Sequence, residues 1–113
     1  DYMATYSNIY IDQGSTYSSV IDVKDPNGLP FNLNGYLSRA QIRKSYSSVN
    51  SIPFGTNTNQ AASGKVTLYL SSAQTRAMKP GRYVYSVEIY NSSGHVIRVA
   101  DGQVEIIPSS IKL

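Results

Sequence analysis

A chain of 113 residues, 41% of them hydrophobic, can bury about two thirds of its surface in one domain and leaves no room for a second. With no cysteine it has no disulfide framework, no thiolate nucleophile and no cysteine-ligated zinc, so packing alone must hold it together. Ten Lys and Arg against seven Asp and Glu leave a net charge of +3, scattered from Lys24 to Lys112 rather than clustered, which argues against nucleic acid as a partner.

Taken in chain order, residues 1–8 read as an N-terminal tail in which Asp1 and Tyr2 stand ahead of Met3, a candidate natural start. The tail lacks the basic-then-apolar pattern of a signal peptide. No apolar run reaches the roughly 18 residues of a membrane span, so a cytoplasmic origin and no membrane partner are expected. A weakly alternating first strand over 6–12 ends at Gln13-Gly14. The next, over 15–24, sets Tyr17, Ile21 and Val23 on one face and Thr16, Ser18 and Asp22 on the other. Asp25-Pro26-Asn27-Gly28 then reverses the chain, because Pro fixes φ at the second turn position and Asn-Gly tolerates positive φ.

Phe31 and Leu33 plug an irregular crossing over 29–35 into the core. A strand over 36–45 places Tyr36, Ala40 and Ile42 on one face and Leu37, Arg39, Gln41 and Arg43 on the other, with the arginines facing solvent. Segment 45–60, rich in Ser, Asn, Thr and Gly, reads as a loop with one short edge strand at Ile52-Pro53-Phe54, since Pro lacks the donor that an interior strand needs. Over 65–70, Val66, Leu68 and Leu70 point inward and Tyr69 outward. Ser71 caps one or two helical turns over 71–78, the one helix predicted.

Pro80-Gly81 closes that helix, and Tyr83, Tyr85, Val87 and Ile89 alternate along one face of the strand that follows. In immunoglobulin-like sandwiches a tyrosine near the start of this strand sends its hydroxyl to upstream backbone, satisfying polar groups where the chain crosses between sheets. Pro80, Gly81 and Tyr83 are therefore the expected structural corner. Residues 91–94 make a hairpin loop to a strand over 95–100, and 102–107 closes the sheet with Val104 and Ile106 on one face. The pattern predicts an all-β, immunoglobulin-like antiparallel β-sandwich of about seven strands over 9–107, one short helix at the inter-sheet corner, and a C-terminal tail over 108–113.

The same residues supply little chemistry. His95 is the single histidine, so no site can use two imidazoles, and its place beside the hairpin loop reads as surface. No Gly-x-Ser-x-Gly elbow presents a serine nucleophile, and no Gly-x-Gly pair opens a phosphate cradle. Asp25-Pro26-Asn27-Gly28 lacks the acidic series and distant Glu that complete a calcium cage. Catalytic, cofactor-binding and metal-binding residues are accordingly expected to be none. What remains as interaction candidates are Arg39 and Arg43 with Tyr46 after them, and the outward tyrosines Tyr69 and Tyr90, since Tyr and Arg bring large contact area with a polar handle.

Several strings carry a family resemblance in order along the chain. These are Ile9-Tyr10-Ile11-Asp12-Gln13-Gly14-Ser15-Thr16-Tyr17, Asp25-Pro26-Asn27-Gly28-Leu29-Pro30, Leu33-Asn34-Gly35-Tyr36, Gly64-Lys65-Val66-Thr67-Leu68 and Pro80-Gly81-Arg82-Tyr83-Val84-Tyr85. Together they resemble the Ig-like virion proteins of tailed bacteriophages, including domains similar to the N-terminal module of phage upper baseplate proteins. Gln13-Gly14 and Gly35-Tyr36 are the more distinctive matches; the family often has Asp-Leu-Thr-Gly where this chain has Asn32-Leu33-Asn34-Gly35. The resemblance implies a non-enzymatic structural or adaptor part of a phage particle, in its tail or baseplate, assembled in the host cytoplasm. Its partners would be other virion proteins, with self-association into a homo-oligomer open. The alternative is a host-surface adhesion or carbohydrate-binding module, because sugar sites also use aromatic stacking.

Overall fold

The computed structural model describes residues 5–58 and 61–111. Among the described residues, nine strands form two stacked sheets accompanied by one α-helix. The strands are β1 (Thr5–Tyr6), β2 (Ile9–Asp12), β3 (Tyr17–Asp22), β4 (Tyr36–Arg43), β5 (Ile52–Pro53), β6 (Gly55–Asn57), β7 (Lys65–Leu70), β8 (Gly81–Asn91) and β9 (Val96–Ile107). Helix α1 (Ser72–Ala77) follows β7, and a short 3-10 turn, Ala61–Ser63, precedes it. The larger sheet runs β1-β9-β8-β4-β5, with β2 also on β9; the smaller runs β3-β7-β6. This is the sandwich that the alternation of the sequence predicts, with α1 linking β7, the middle strand of the smaller sheet, to β8, the central strand of the larger.

The core forms because period-two alternation turns one face of every long strand inward. From the larger sheet come Ile42, Tyr85, Val87, Ile89 and Val104, and from the smaller Val66, Leu68 and Leu70, all buried in one cluster. Each fully buried aliphatic of this kind contributes about 1.5–3 kcal/mol. Phe31 packs against the cluster and Leu33 lies within it, as the reading of the 29–35 crossing anticipates.

Four details depart from the sequence reading. The expected strands at 95–100 and 102–107 are one continuous β9, because a bulge absorbs the irregularity. Pairing steps from Val87↔Ala100 to Glu88↔Arg98, which leaves Val99 without an opposite number. Segment 45–60 holds two short strands rather than one; β5 pairs with β4 at an edge of the larger sheet, β6 pairs with β7 in the smaller, and buried Phe54 makes the step between them. Thr5 and Tyr6, inside the stretch read as a tail, are already paired. Finally, β1 and β2 run parallel to β9, in contrast to the antiparallel pairs elsewhere. A parallel neighbour needs a long connection, and here the rest of the domain supplies it.

Candidate interaction surfaces

Where the chain crosses between sheets, polar groups are tied closely. Ser71 and Gln74 form a capping box at the start of α1, the Ser71 hydroxyl accepting from the Gln74 N–H and the Gln74 side chain accepting from the Ser71 N–H. Thr75, a fully buried polar residue, accepts from the Gly14 N–H at 3.0 Å and donates to the Ser15 carbonyl oxygen at 2.8 Å. Gln13 donates to the Met78 carbonyl at 2.9 Å, and its own side-chain oxygen accepts from the Ser109 N–H at 3.3 Å. Gln13-Gly14, the distinctive dipeptide of the sequence, thus anchors the β2–β3 turn to the helix. Tyr83 is buried, and its hydroxyl donates to the Lys79 carbonyl at 2.7 Å across Pro80 and Gly81. Lys44 extends over the Tyr83 ring, 4.7 Å from its centre.

The arginines of β4 sit on the outer face of the larger sheet, and both are already engaged. Arg39 donates to Glu88 at 2.8 Å from the opposite register position on β8 and lies 4.5 Å from the centre of the Tyr90 ring. Arg43 donates to the carbonyls of Ser48 and Val49 at 2.6 and 2.9 Å and to the Gln41 side chain at 2.9 Å. Its role is to hold the turn after β4, from which Tyr46 and Val49 project with 67% and 92% of their surface exposed. Tyr69 belongs to the opposite sheet. Its ring covers Gly55 on β6, where any side chain would overlap it. Of the five interaction candidates, Arg39 and Tyr90 form one cluster, Arg43 and Tyr46 share one turn, and Tyr69 stands alone on the other side of the sandwich.

A third region escaped the sequence reading. Between β2 of the larger sheet and β3 of the smaller, the sandwich is open along a groove of about 500 Å³ lined by Ser7, Tyr10, Tyr17, Ser19 and Tyr85. The Tyr85 hydroxyl donates to the Ser7 carbonyl at 2.8 Å and the Tyr17 hydroxyl to Ser19 at 2.9 Å. Burial, reinforced by the Tyr17 phenol, pushes the Tyr85 pKa from its ordinary 10.0 up to about 12. On the far side of β3, the hydrogen-bonded Lys65 ammonium, 2.6 Å away, holds the exposed Asp22 carboxyl below its ordinary 3.8. Alternation shows that Tyr85 points inward, but its partner at Ser7 follows from the β1–β9 pairing, which no local pattern encodes.

His95 is exposed at the hairpin, where the Asn91 side chain accepts from its N–H at 3.0 Å. Among the described residues no three His, Asp or Glu side chains gather as metal ligands, and no helix is long and apolar enough to cross a membrane.

No protein-family model matches the chain, and no curated protein sequence matches it. Its structure is similar to the N-terminal domain of phage TP901-1 ORF48, with a TM-score of 0.55 and 13% identity over 88% of this chain and 84% of that one. It is similar also to the SrpA adhesin of Streptococcus sanguinis, with a TM-score of 0.53 and 8% identity over 90% of this chain and 55% of that one. An internalin-like protein of Listeria monocytogenes gives a TM-score of 0.48 and 20% identity; the chain, 92% covered, spans 28% of its length. At these identities what is shared is the β-sandwich fold.

Proposed function

We propose that this chain is a non-enzymatic structural or adaptor module of a tailed-bacteriophage particle, placed in the tail or baseplate and acting by docking to other virion proteins. The observation that carries the reading is the likeness to the phage TP901-1 ORF48 N-terminal domain, in which nearly all of each chain is matched. The adhesin matches this chain over 55% of its own length. The residue-level resemblance to Ig-like virion proteins points the same way, and Gln13-Gly14 has a defined structural task at the helix corner. A docking module needs a stiff frame carrying exposed aromatic or aliphatic contacts. The turn held by Arg43 offers Tyr46 and Val49 in that manner.

Mass spectrometry of particles purified from the phage that encodes the chain tests this directly. Its peptides are expected at a copy number comparable with the other tail components, and their confinement to the unassembled lysate overturns the proposal. A host-glycan module is the second reading, favoured by the exposed Tyr69 ring resting on Gly55. Glycan-array binding that disappears on Tyr69→Ala would replace the first reading with it.

A further inference from the structure

Among the described residues the two sheets end in four edges, and three of them carry the features that discourage strand addition. β5 is two residues long and contains Pro53, and β6 is three residues long. The β1/β2 edge is broken between Tyr6 and Ile9. The fourth, β3, is six uninterrupted residues, Tyr17-Ser18-Ser19-Val20-Ile21-Asp22, without Pro, Gly or a bulge. It stands at the end of its sheet, and the groove between it and β2 leaves the approach open.

Its hydrogen-bonding pattern follows from one fixed point. Val23 donates its N–H to the Gly64 carbonyl at 2.7 Å, and the register Asp22↔Lys65 sets those two residues opposite each other. In an antiparallel ladder hydrogen-bonded and non-bonded pairs alternate. Tyr17, Ser19 and Ile21 therefore bond to β7, while Ser18, Val20 and Asp22 turn their N–H and C=O groups away from it. Among the described residues no strand pairs with that outer edge.

We infer that β3 is a self-association edge and that its occupant is β3 of a second copy, running antiparallel about a two-fold axis through Val20. In that register Val20 meets Val20, and Ser18 meets Asp22 on both sides of the axis. Each outward-facing residue then finds an outward-facing partner. The side chains suit the arrangement. Val20 is 54% exposed and would cover its own copy, and the ionised Asp22 carboxylate, already steadied by Lys65, would face a serine hydroxyl. Lys24 would stand across from Thr16, so no like charges oppose one another. A slide of two residues sets Val20 against Asp22 in one direction or Ser18 in the other, and a slide of four sets Asp22 or Ser18 against itself. The first register alone covers Val20 with Val20 and pairs Asp22 with a hydroxyl at both ends. The contact is isologous and closes on a dimer with one continuous six-stranded sheet. This inference is independent of the virion reading.

Sedimentation velocity of the full chain from about 1 µM to 1 mM is the test, that span covering weak to moderate association. A monomer-to-dimer transition is expected for the natural sequence. Val20→Pro deletes an N–H that faces outward while leaving the ladder to β7 intact, and Val20→Lys places two ammonium groups on the axis. Each should weaken the dimer at least about tenfold. Thermal melting checks that each variant is folded, and Val20→Lys keeps the test decisive if Val20→Pro is not. A natural chain that sediments as one copy throughout, or a dimer indifferent to Val20→Lys, overturns the inference.

Discussion

Tyr83 and Tyr85 lie two residues apart on the same inward face of β8, yet they close different parts of the molecule. The Tyr83 hydroxyl returns to Lys79, four positions upstream, and seals the corner where the chain passes from α1 into the larger sheet. The Tyr85 hydroxyl reaches Ser7, 78 positions away, and fastens the N-terminal strands against β9. The corner is reinforced from several directions, by Thr75, Gln13 and the capping box. The N-terminal seam is tied instead by the parallel pairing of β1 and β2 with β9 and by the Ser7 N–H donating to the Asp101 carbonyl, and it borders the open groove. The corner combines local ties, the capping box and the Tyr83–Lys79 bond, with long-range ones from Gln13 and Gly14. Every tie of the seam, in contrast, joins residues far apart in the chain, so its loop entropy must be met before any of them forms.

The strongest way to break the seam is Gly102→Ala. The Gly102 Cα faces the Ser7 carbonyl, and a methyl group there would overlap that oxygen and force the backbone of β1 away. Equilibrium denaturation should show a loss of about 3 kcal/mol or more, the scale of overpacking combined with broken pairing. A smaller loss, with the Ser7 N–H to Asp101 bond still protected from exchange, would show that the seam yields without cost.

At the corner the corresponding change is Thr75→Val, which keeps volume and removes the hydroxyl. The Gly14 N–H and the Ser15 carbonyl would both lose their partner. A cost of about 2 kcal/mol is expected in chemical denaturation, because partly buried groups are left unpaired. An unchanged midpoint would mean that Gln13 and the capping box hold the turn without Thr75.

Alkaline titration separates the regions without mutation. The Tyr85 phenol is raised from 10.0 to about 12 in the folded chain, so the neutral form is favoured by folding. Stability from this group is fully present below pH 10 and is lost as pH rises from 10 towards 12. The loss should be on the order of 2 kcal/mol. It should vanish in Tyr85→Phe, which has no phenol to ionise; a Tyr85→Phe chain that melts with the same alkaline dependence would assign the effect elsewhere.

The corner was far more legible in the sequence than the seam, and the reason is physical. Ser71 ahead of helix formers, Pro80-Gly81 and an alternating Tyr83 are neighbours, so one short window contains the cap, the stop and the tyrosine. Inward and outward faces were equally readable, because alternation fixes them strand by strand. Strand partners were not: the parallel pairing of β1 and β2 with β9 joins residues about a hundred positions apart and leaves no local mark. For the same reason Gly102 read only as the start of a strand, and the β3 edge could not be recognised as unpaired before the sheet order was known. Arg39 and Arg43 were correctly set facing outward, but their engagement with Glu88 and with the Ser48 and Val49 carbonyls depends on register and on the fold of the turn.

The finest discrimination comes from a double-mutant cycle. Tyr83→Phe alone should cost about 1 kcal/mol, since the Lys79 carbonyl loses its hydrogen bond while the ring stays in place. If the two hydroxyls serve separate closures, Tyr83→Phe and Tyr85→Phe should add, with a coupling energy below about 0.5 kcal/mol. Their closeness on β8 makes additivity a demanding outcome, because side chains two apart on one face share neighbours. A coupling well above that value would show that strain at the corner passes along β8 to the N-terminal strands, and the molecule would then have one closure expressed at two carbonyls.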